Sequence, residues 1–138
     1  MAEAVRLTAA VMFVRNLDKS VAFYRELLDL EVADSSPTAA LLRSSDGWQI
    51  ALRAFGENAP RSLGSIGVQY LIWTTATRAD LDRRTEILRR QSAYTETRTE
   101  QHVTVVEGRD PDDVPVMIAY AGADGRAMRE LPARVYAW

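Results

Sequence analysis

The groups best equipped for chemistry in this sequence are few. His102 is the only histidine, and cysteine is absent. Thiolate nucleophiles, zinc–thiolate sites, iron–sulfur clusters and disulfides are therefore excluded, and no two-histidine metal site can be built within one chain. His102 stands at the start of a strand-like run, Gln101-His-Val-Thr-Val-Val106. There an imidazole serves either as a partly exposed strand-end group or as a proton donor and hydrogen-bond partner for a ligand, because it titrates near neutral pH. Tyr70 and Glu107 complete the set suited to acid–base work. No Gly-x-Ser-x-Gly elbow or phosphate-cradling glycine loop is present. The formal net charge is -2 with acids and bases scattered, so no basic stripe exists to neutralise phosphates, and nucleic acid is not an expected partner. No apolar run is long enough to span a bilayer. The N-terminus, MAEAVRLTAAVMFV, mixes acid and base within six residues, unlike a signal peptide. A cytoplasmic protein without a membrane partner is the expectation.

The elements that must position these groups come in two similar sets. With 138 residues, 47% of them hydrophobic, the chain can fill a core without disulfides or a structural metal. Leu7–Val14 is a short apolar run suited to a buried strand. Asn16-Leu-Asp18 offers N-cap oxygens, and Val21, Phe23, Tyr24, Leu27 and Leu28 then recur at helical spacing. Val32, Thr38–Arg43 and Trp48–Ala54 read as three strands, broken at Ser35-Ser-Pro37 and at the hairpin pair Asp46-Gly47. The order then repeats. Gly67–Thr74 is a strand, and Thr77-Arg-Ala-Asp80 has capping-box spacing. Leu81, Thr85, Ile87 and Leu88 form an apolar helical stripe, while Arg78, Arg83, Arg84, Arg89 and Arg90 fall on other faces, a pattern that predicts solvated charge. Ala93–Thr97, His102–Glu107 and Val114–Tyr120 are the last three strands, with Asp110-Pro-Asp-Asp113 as a turn. The Gly, Pro and Ser of 56–65 mark a linker. Residues 121–138 form a C-terminal tail that closes with a helical turn or a strand near Val135. The expected fold class is α+β, with a first βαβββ module over 7–55 and a second over 66–120 in one 138-residue domain.

The opening segment, Phe13-Val-Arg-Asn-Leu-Asp-Lys-Ser-Val-Ala-Phe-Tyr-Arg-Glu-Leu-Leu28, resembles the first strand, Asp-Leu turn and Ser-x-x-Phe-Tyr helix of the vicinal oxygen chelate superfamily, which includes glyoxalases, bleomycin resistance proteins and extradiol dioxygenases. Arg109-Asp-Pro-Asp-Asp113 resembles its Asp-Pro-Asp-Gly turn before the last strand. Three residues depart from the pattern: Asn16 stands where Asp is common, Asp29 where the helix usually ends in Gly, and Asp113 replaces the Gly of the turn. The resemblance covers about residues 7–120 and implies two βαβββ modules forming a half-open cup. In the superfamily's enzymes, His, Glu or Gln side chains from the first and last strand of each module hold a divalent metal on the floor of that cup.

Carried over residue by residue, the resemblance puts those positions at Ala9, Ala51, Tyr70 and Met117. A slip of one residue, which in a strand changes the face, gives Ala10, Ile50 or Leu52, Gln69 or Leu71, and Val116 or Ile118, among which only Gln69 is a donor. Lewis-acid metals need several converging oxygen or nitrogen ligands, so neither a metal nor any other cofactor is expected. The floor so emptied is apolar and suits an organic guest. Strand alternation groups Val11 and Phe13, then Gln49, Ala51 and Arg53, as ligand-facing candidates in the first module. It adds Tyr70, Ile72 and Met117 in the second, with His102 beside them. Trp73 is assigned to the core, Trp48 to the core or the rim, and Trp138 to a partner contact or a disordered end. The metal-free bleomycin-resistance type implies sequestration of a hydrophobic or aromatic small molecule, an antibiotic or other natural product, by a homodimer. A metal-independent enzyme using Tyr70, His102 or Glu107, and a ligand-free structural or regulatory module, remain the alternatives.

Overall fold

A computed structural model describes residues 4–60, 65–100 and 102–122. The chain divides into two compact units, Met1–Arg61 and Ser62–Trp138. Expectations for the tail beyond residue 122, including Val135 and Trp138, lie outside the described residues.

The first unit runs β1 (Ala9–Val14), α1 (Leu17–Leu28), β2 (Glu31–Ser35), β3 (Ala39–Arg43) and β4 (Gln49–Ala54). Its four strands are ordered β1-β4-β3-β2. The chain leaves β1, crosses through α1 to the far-edge strand β2 and returns by β3 to β4, which pairs parallel with β1, while the other neighbours are antiparallel. α1 starts where Asn16 accepts a hydrogen bond from the Lys19 amide, satisfying one orphan donor of the first turn. It stops where Asp29 adopts a left-handed conformation with φ 54°, and the Leu30 amide reaches back to the Arg25 carbonyl. That closure is the one glycine usually provides. Phe23, Tyr24, Leu27 and Leu28 are buried against Ala40, Leu42, Ile50 and Leu52 on one face of the sheet. Removing a fully buried leucine such as Leu27, Leu42 or Leu52 would cost roughly 2–5 kcal/mol, so this face holds the unit together.

The second unit repeats the order with β5 (Leu71–Thr74), α2 (Arg78–Arg90), β6 (Tyr94–Glu100), β7 (Val103–Arg109) and β8 (Pro115–Tyr120). The strand order is β5-β8-β7-β6, with β5 and β8 parallel. Thr77 caps α2 by accepting from the Asp80 amide, as the capping-box spacing implied. Arg78 pairs with Asp82, and Arg83 and Arg84 both pair with Asp80 along the helix surface. Arg84 departs from the expectation of solvated arginines: its side chain is only 14% exposed. The helix ends in a Schellman closure, with the Ser92 amide on the Arg89 carbonyl and the Ala93 amide on the Leu88 carbonyl. Trp73 shares its row with Ile118 and Val106, both buried on the α2 side of the sheet. Two βαβββ modules in tandem make the fold α+β.

Three of the boundary differences from the sequence reading bear on the candidate residues. β5 begins at Leu71 instead of Gly67, because Gly67 takes φ 132° and the Gln69 side-chain amide bonds to the Ser65 and Gly67 carbonyls at 2.6 and 3.0 Å. Those bonds hold a loop. β6 extends to Glu100, three residues past Thr97, supported by a hydroxyl contact of 3.2 Å between Thr99 and Thr104. β7 consequently begins at Val103, and His102 belongs to the turn between the two strands.

Candidate functional site

The first unit has one face covered by α1 and one left open. Cross-strand register arranges the open face in rows. Ala9, Gln49, Arg43 and Glu31 form the first, Val11, Ala51, Leu41 and Asp34 the second, and Phe13, Arg53 and Ala39 the third. Five of the sequence candidates, Val11, Phe13, Gln49, Ala51 and Arg53, therefore share one surface. Its centre consists of Val11, Ala51 and Leu41, with Ala39 alongside in the third row. Polar groups flank it at both ends. At one end Arg43 Nε donates to Gln49 Oε1 at 3.1 Å, which engages the amide oxygen of Gln49.

At the other end is an aromatic pair that the sequence reading missed. Phe13 stacks on Phe55 with ring centroids 4.5 Å apart and planes inclined by 5°. The rings are 59% and 56% exposed, and Val11 is 70% exposed. Parallel rings this close form an offset stack, and both residues remain more than half exposed. The loop that carries Phe55 is anchored at several points. The Phe55 amide donates to the Val14 carbonyl, Gly56 turns the chain with φ 97°, and the Ala59 amide returns to the Gly56 carbonyl. Arg15 Nε reaches the Ala59 carbonyl at 2.9 Å, and the Asn16 side-chain amide donates to Glu57 at 3.3 Å. The signal for Phe55 was present: positions 49, 51, 53 and 55 alternate onto one face. Reading 56–65 as linker ended that pattern one step too soon.

The second unit places its candidates differently. Ile72 and Met117 are register partners on the face turned away from α2, followed across the sheet by Glu107 and Glu96. Met117 is only 3% exposed and Glu107 4%, so this row is closed where an open apolar floor was anticipated. β8 is buried from Pro115 through Ala119, on both of its faces. Arg109 stands 3.4 Å from the Glu107 carboxylate and engages the buried charge. Tyr70 immediately precedes β5 and is half-buried. His102 is exposed on its turn, five residues along β7 from Glu107 and so roughly 16 Å from that row. The structure brings Ile72 and Met117 together and leaves His102 apart from them, on the turn before β7.

This arrangement matches known proteins at the level of family and fold. The model of the Glyoxalase/Bleomycin resistance protein/Dioxygenase superfamily matches residues 6–118. The chain belongs to this superfamily. A glyoxylase/bleomycin resistance protein/dioxygenase domain from Frankia sp. EAN1pec superposes with a TM-score of 0.75 at 22% identity, covering 86% of this chain and 99% of that one. A lactoylglutathione lyase from Agrobacterium tumefaciens gives 0.68 at 15% identity, with 86% and 96% covered. The oxidase ChaP-H2 gives 0.67 at 16% identity, with 86% and 94% covered. No protein of curated function matches the sequence. Likenesses this distant establish the fold, and one fold hosts many chemistries.

Superfamily enzymes hold their metal through strand side chains, and this chain's donor set does not fit one. Ala9 and Ala51 lie on the open face of the first unit, and Met117 on the closed face of the second. Two methyls and a thioether offer no hard donor. Tyr70 supplies a single phenol, and Gln69 a single amide oxygen on the loop before β5, fewer than the several converging donors a divalent metal needs. Among the described residues, no three His, Cys, Asp or Glu side chains are grouped to hold a metal ion.

Proposed function

We propose that this superfamily member binds and sequesters a hydrophobic or aromatic small molecule without a metal, in the manner of bleomycin-resistance-type proteins. The carrying observation is the Phe13–Phe55 stack, more than half exposed, beside the apolar patch of Val11, Ala51 and Leu41. Aromatic and aliphatic side chains exposed in one contiguous patch are unfavourable in a free monomer and mark an interaction surface. A planar guest would cover them, gaining about 25 cal/mol for each Å² of apolar area removed from water. The proposal extends to an antibiotic or other natural product as guest, and to a cytoplasmic homodimer as the working form. In the described residues no helix is long and apolar enough to cross a membrane.

A second reading, a metal-independent enzyme, rests on Glu107, a carboxylate buried beside Met117. Its ion pair with Arg109 accounts for that carboxylate structurally, which favours binding over turnover. A thermal-shift screen of planar aromatic natural products tests the first reading. A ligand at one hundred times its Kd stabilises the folded protein by about 2.7 kcal/mol, and Phe13→Ala should abolish the shift. Chelator-resistant conversion of a hit, lost in Glu107→Gln, would move the assignment to the enzyme. No shift with any planar compound would remove the binding reading and leave a structural module.

A further inference from the structure

The open face of the first unit carries two arginines in different electrostatic settings. Arg43 is the register partner of Glu31 on one side and of Gln49 on the other, and its Nε donates to Gln49. A carboxylate-bearing residue is thus its cross-strand neighbour, and Gln49 takes one of its donors. Arg53 has Phe13 and Ala39 as its register partners, and neither carries charge. Asp34, the carboxylate of the adjacent row, sits on β2, two strands away from β4. Among the described residues Arg53 makes no hydrogen bond or ion pair, and it is exposed. An exposed guanidinium with apolar neighbours keeps its planar fork of donors available, in the geometry that receives a carboxylate through two parallel hydrogen bonds.

Position adds to charge. Paired strands lie about 4.8 Å apart, so the Phe13 and Arg53 backbones are one strand spacing apart on the same face. Phe55 follows Arg53 by two residues, about 6.6 Å along the chain, and returns to stack on Phe13. The residues of the aromatic stack and Arg53 are thus immediate neighbours on one face, within reach of a long arginine side chain. A flat ring system lying on the platform would bring a substituent on its edge to Arg53. A neutral guest would offer the guanidinium only uncharged acceptors, which bond more weakly than a carboxylate, and a cationic guest would be repelled.

Building on the binding reading above, we propose that the guest is a planar aromatic acid, with the Phe13–Phe55 stack receiving its ring and Arg53 taking the carboxylate. Arg53 is then the residue that determines specificity, and the phenylalanines supply affinity for any flat ring.

A matched pair of probes separates these roles: 2-naphthoate, and 2-naphthamide of nearly the same shape without the charge. Both are titrated calorimetrically into the wild-type protein, Arg53→Gln and Phe55→Leu, with each variant's fold verified by circular dichroism and Tm. In the wild type, naphthoate should bind roughly tenfold tighter than the amide, as a charge-assisted bond at a solvent-facing site allows. In Arg53→Gln the two affinities should converge. In Phe55→Leu both should weaken by a similar factor, preserving the preference. Equal affinity for the two probes in the wild type, or a preference that survives in Arg53→Gln, overturns the acid assignment. If the amide still binds and weakens in Phe55→Leu, the aromatic platform stands without it. If neither probe binds the wild type, both the platform and the acid assignment fail.

Discussion

Gly108→Ala should destabilise the second unit by an amount that its geometry defines. Gly108 lies on β7 between Tyr94 and Val116, with its missing side chain directed at α2. A methyl built there would stand 2.7 Å from the Ala93 carbonyl oxygen, and 2.8 and 3.1 Å from the two terminal carbons of Leu88. Neither neighbour yields easily. The Ala93 carbonyl accepts from the Arg109 amide at 2.8 Å, and Leu88 is fully buried. Restoring ordinary contact requires about 0.7 Å of movement between backbone segments that are hydrogen-bonded to each other. Overpacking of this kind costs about 1–3 kcal/mol. The entropic gain of replacing glycine by alanine offsets only about 0.4–1 kcal/mol. A net loss near 2 kcal/mol follows, because a backbone oxygen and a core side chain are both obstructed. In a chain of this size that lowers Tm by roughly 6–10 °C. Differential scanning calorimetry or a urea midpoint at constant m-value reads it directly. The same displacement would move Glu107 and Arg109, which flank Gly108, so their ion pair should loosen with it. A variant as stable as the wild type, or more stable, would refute the close approach of β7 to α2 and the register derived from it.

Two further substitutions probe backbone conformation at the ends of elements. Ser92→Gly should raise stability by about 0.5–1 kcal/mol, seen as a Tm gain of a few degrees, because Ser92 holds φ 55° in the α2 closure where glycine is unstrained. An unchanged or lower Tm would mean that the closure is not left-handed at this residue. Gly56→Ala should cost about 1–2 kcal/mol, because φ is 97° there while nothing lies within 4 Å of the added methyl. The effect is therefore conformational and local to the loop that carries Phe55, so naphthoate affinity measured by titration should fall together with Tm.

The fold was legible wherever local chemistry decides structure. Asn16 and Thr77 marked the helix starts because their side-chain oxygens satisfy amides that have no other partner. The helical stripes of Phe23, Tyr24, Leu27 and Leu28, and of Leu81, Ile87 and Leu88, are the buried ones. The two departures from family glycines, Asp29 and Asp113, take the left-handed conformation themselves at φ 54° and 66°. Asp110 supports the second turn by accepting from the Asp112 and Val114 amides. In a short polar residue such strain is tolerable. What a single sequence does not encode is which strand face remains uncovered. Alternation assigned Met117 to the face away from the helix, and that is where it lies, yet it is buried. Val11 and Phe13, assigned by the same rule, are exposed. His102 was misplaced for a related reason: cross-strand pairing carried β6 on to Glu100, and that extension depends on a partner strand instead of on local propensity.

The division of labour between the two faces of the first sheet explains how metal ligands can be absent without harm to the fold. Stability resides in Ile50, Leu52, Ala40 and Leu42 against α1, all nearly inaccessible. Ala9, Ala51, Phe13 and Arg53 alternate onto the opposite face, where the helix exerts no packing constraint. Substitutions there change what the surface can hold while leaving the core intact. An exposed phenylalanine stack and an arginine with uncharged register partners contribute little to folding, since exposed side chains away from packed cores usually change stability by about 0.5 kcal/mol or less. If their role were structural, Arg53→Gln and Phe55→Leu would lower Tm in proportion to any loss of ligand affinity. If it is recognition, affinity falls while Tm in the absence of ligand holds, and only that second pattern is compatible with the exposure of these residues.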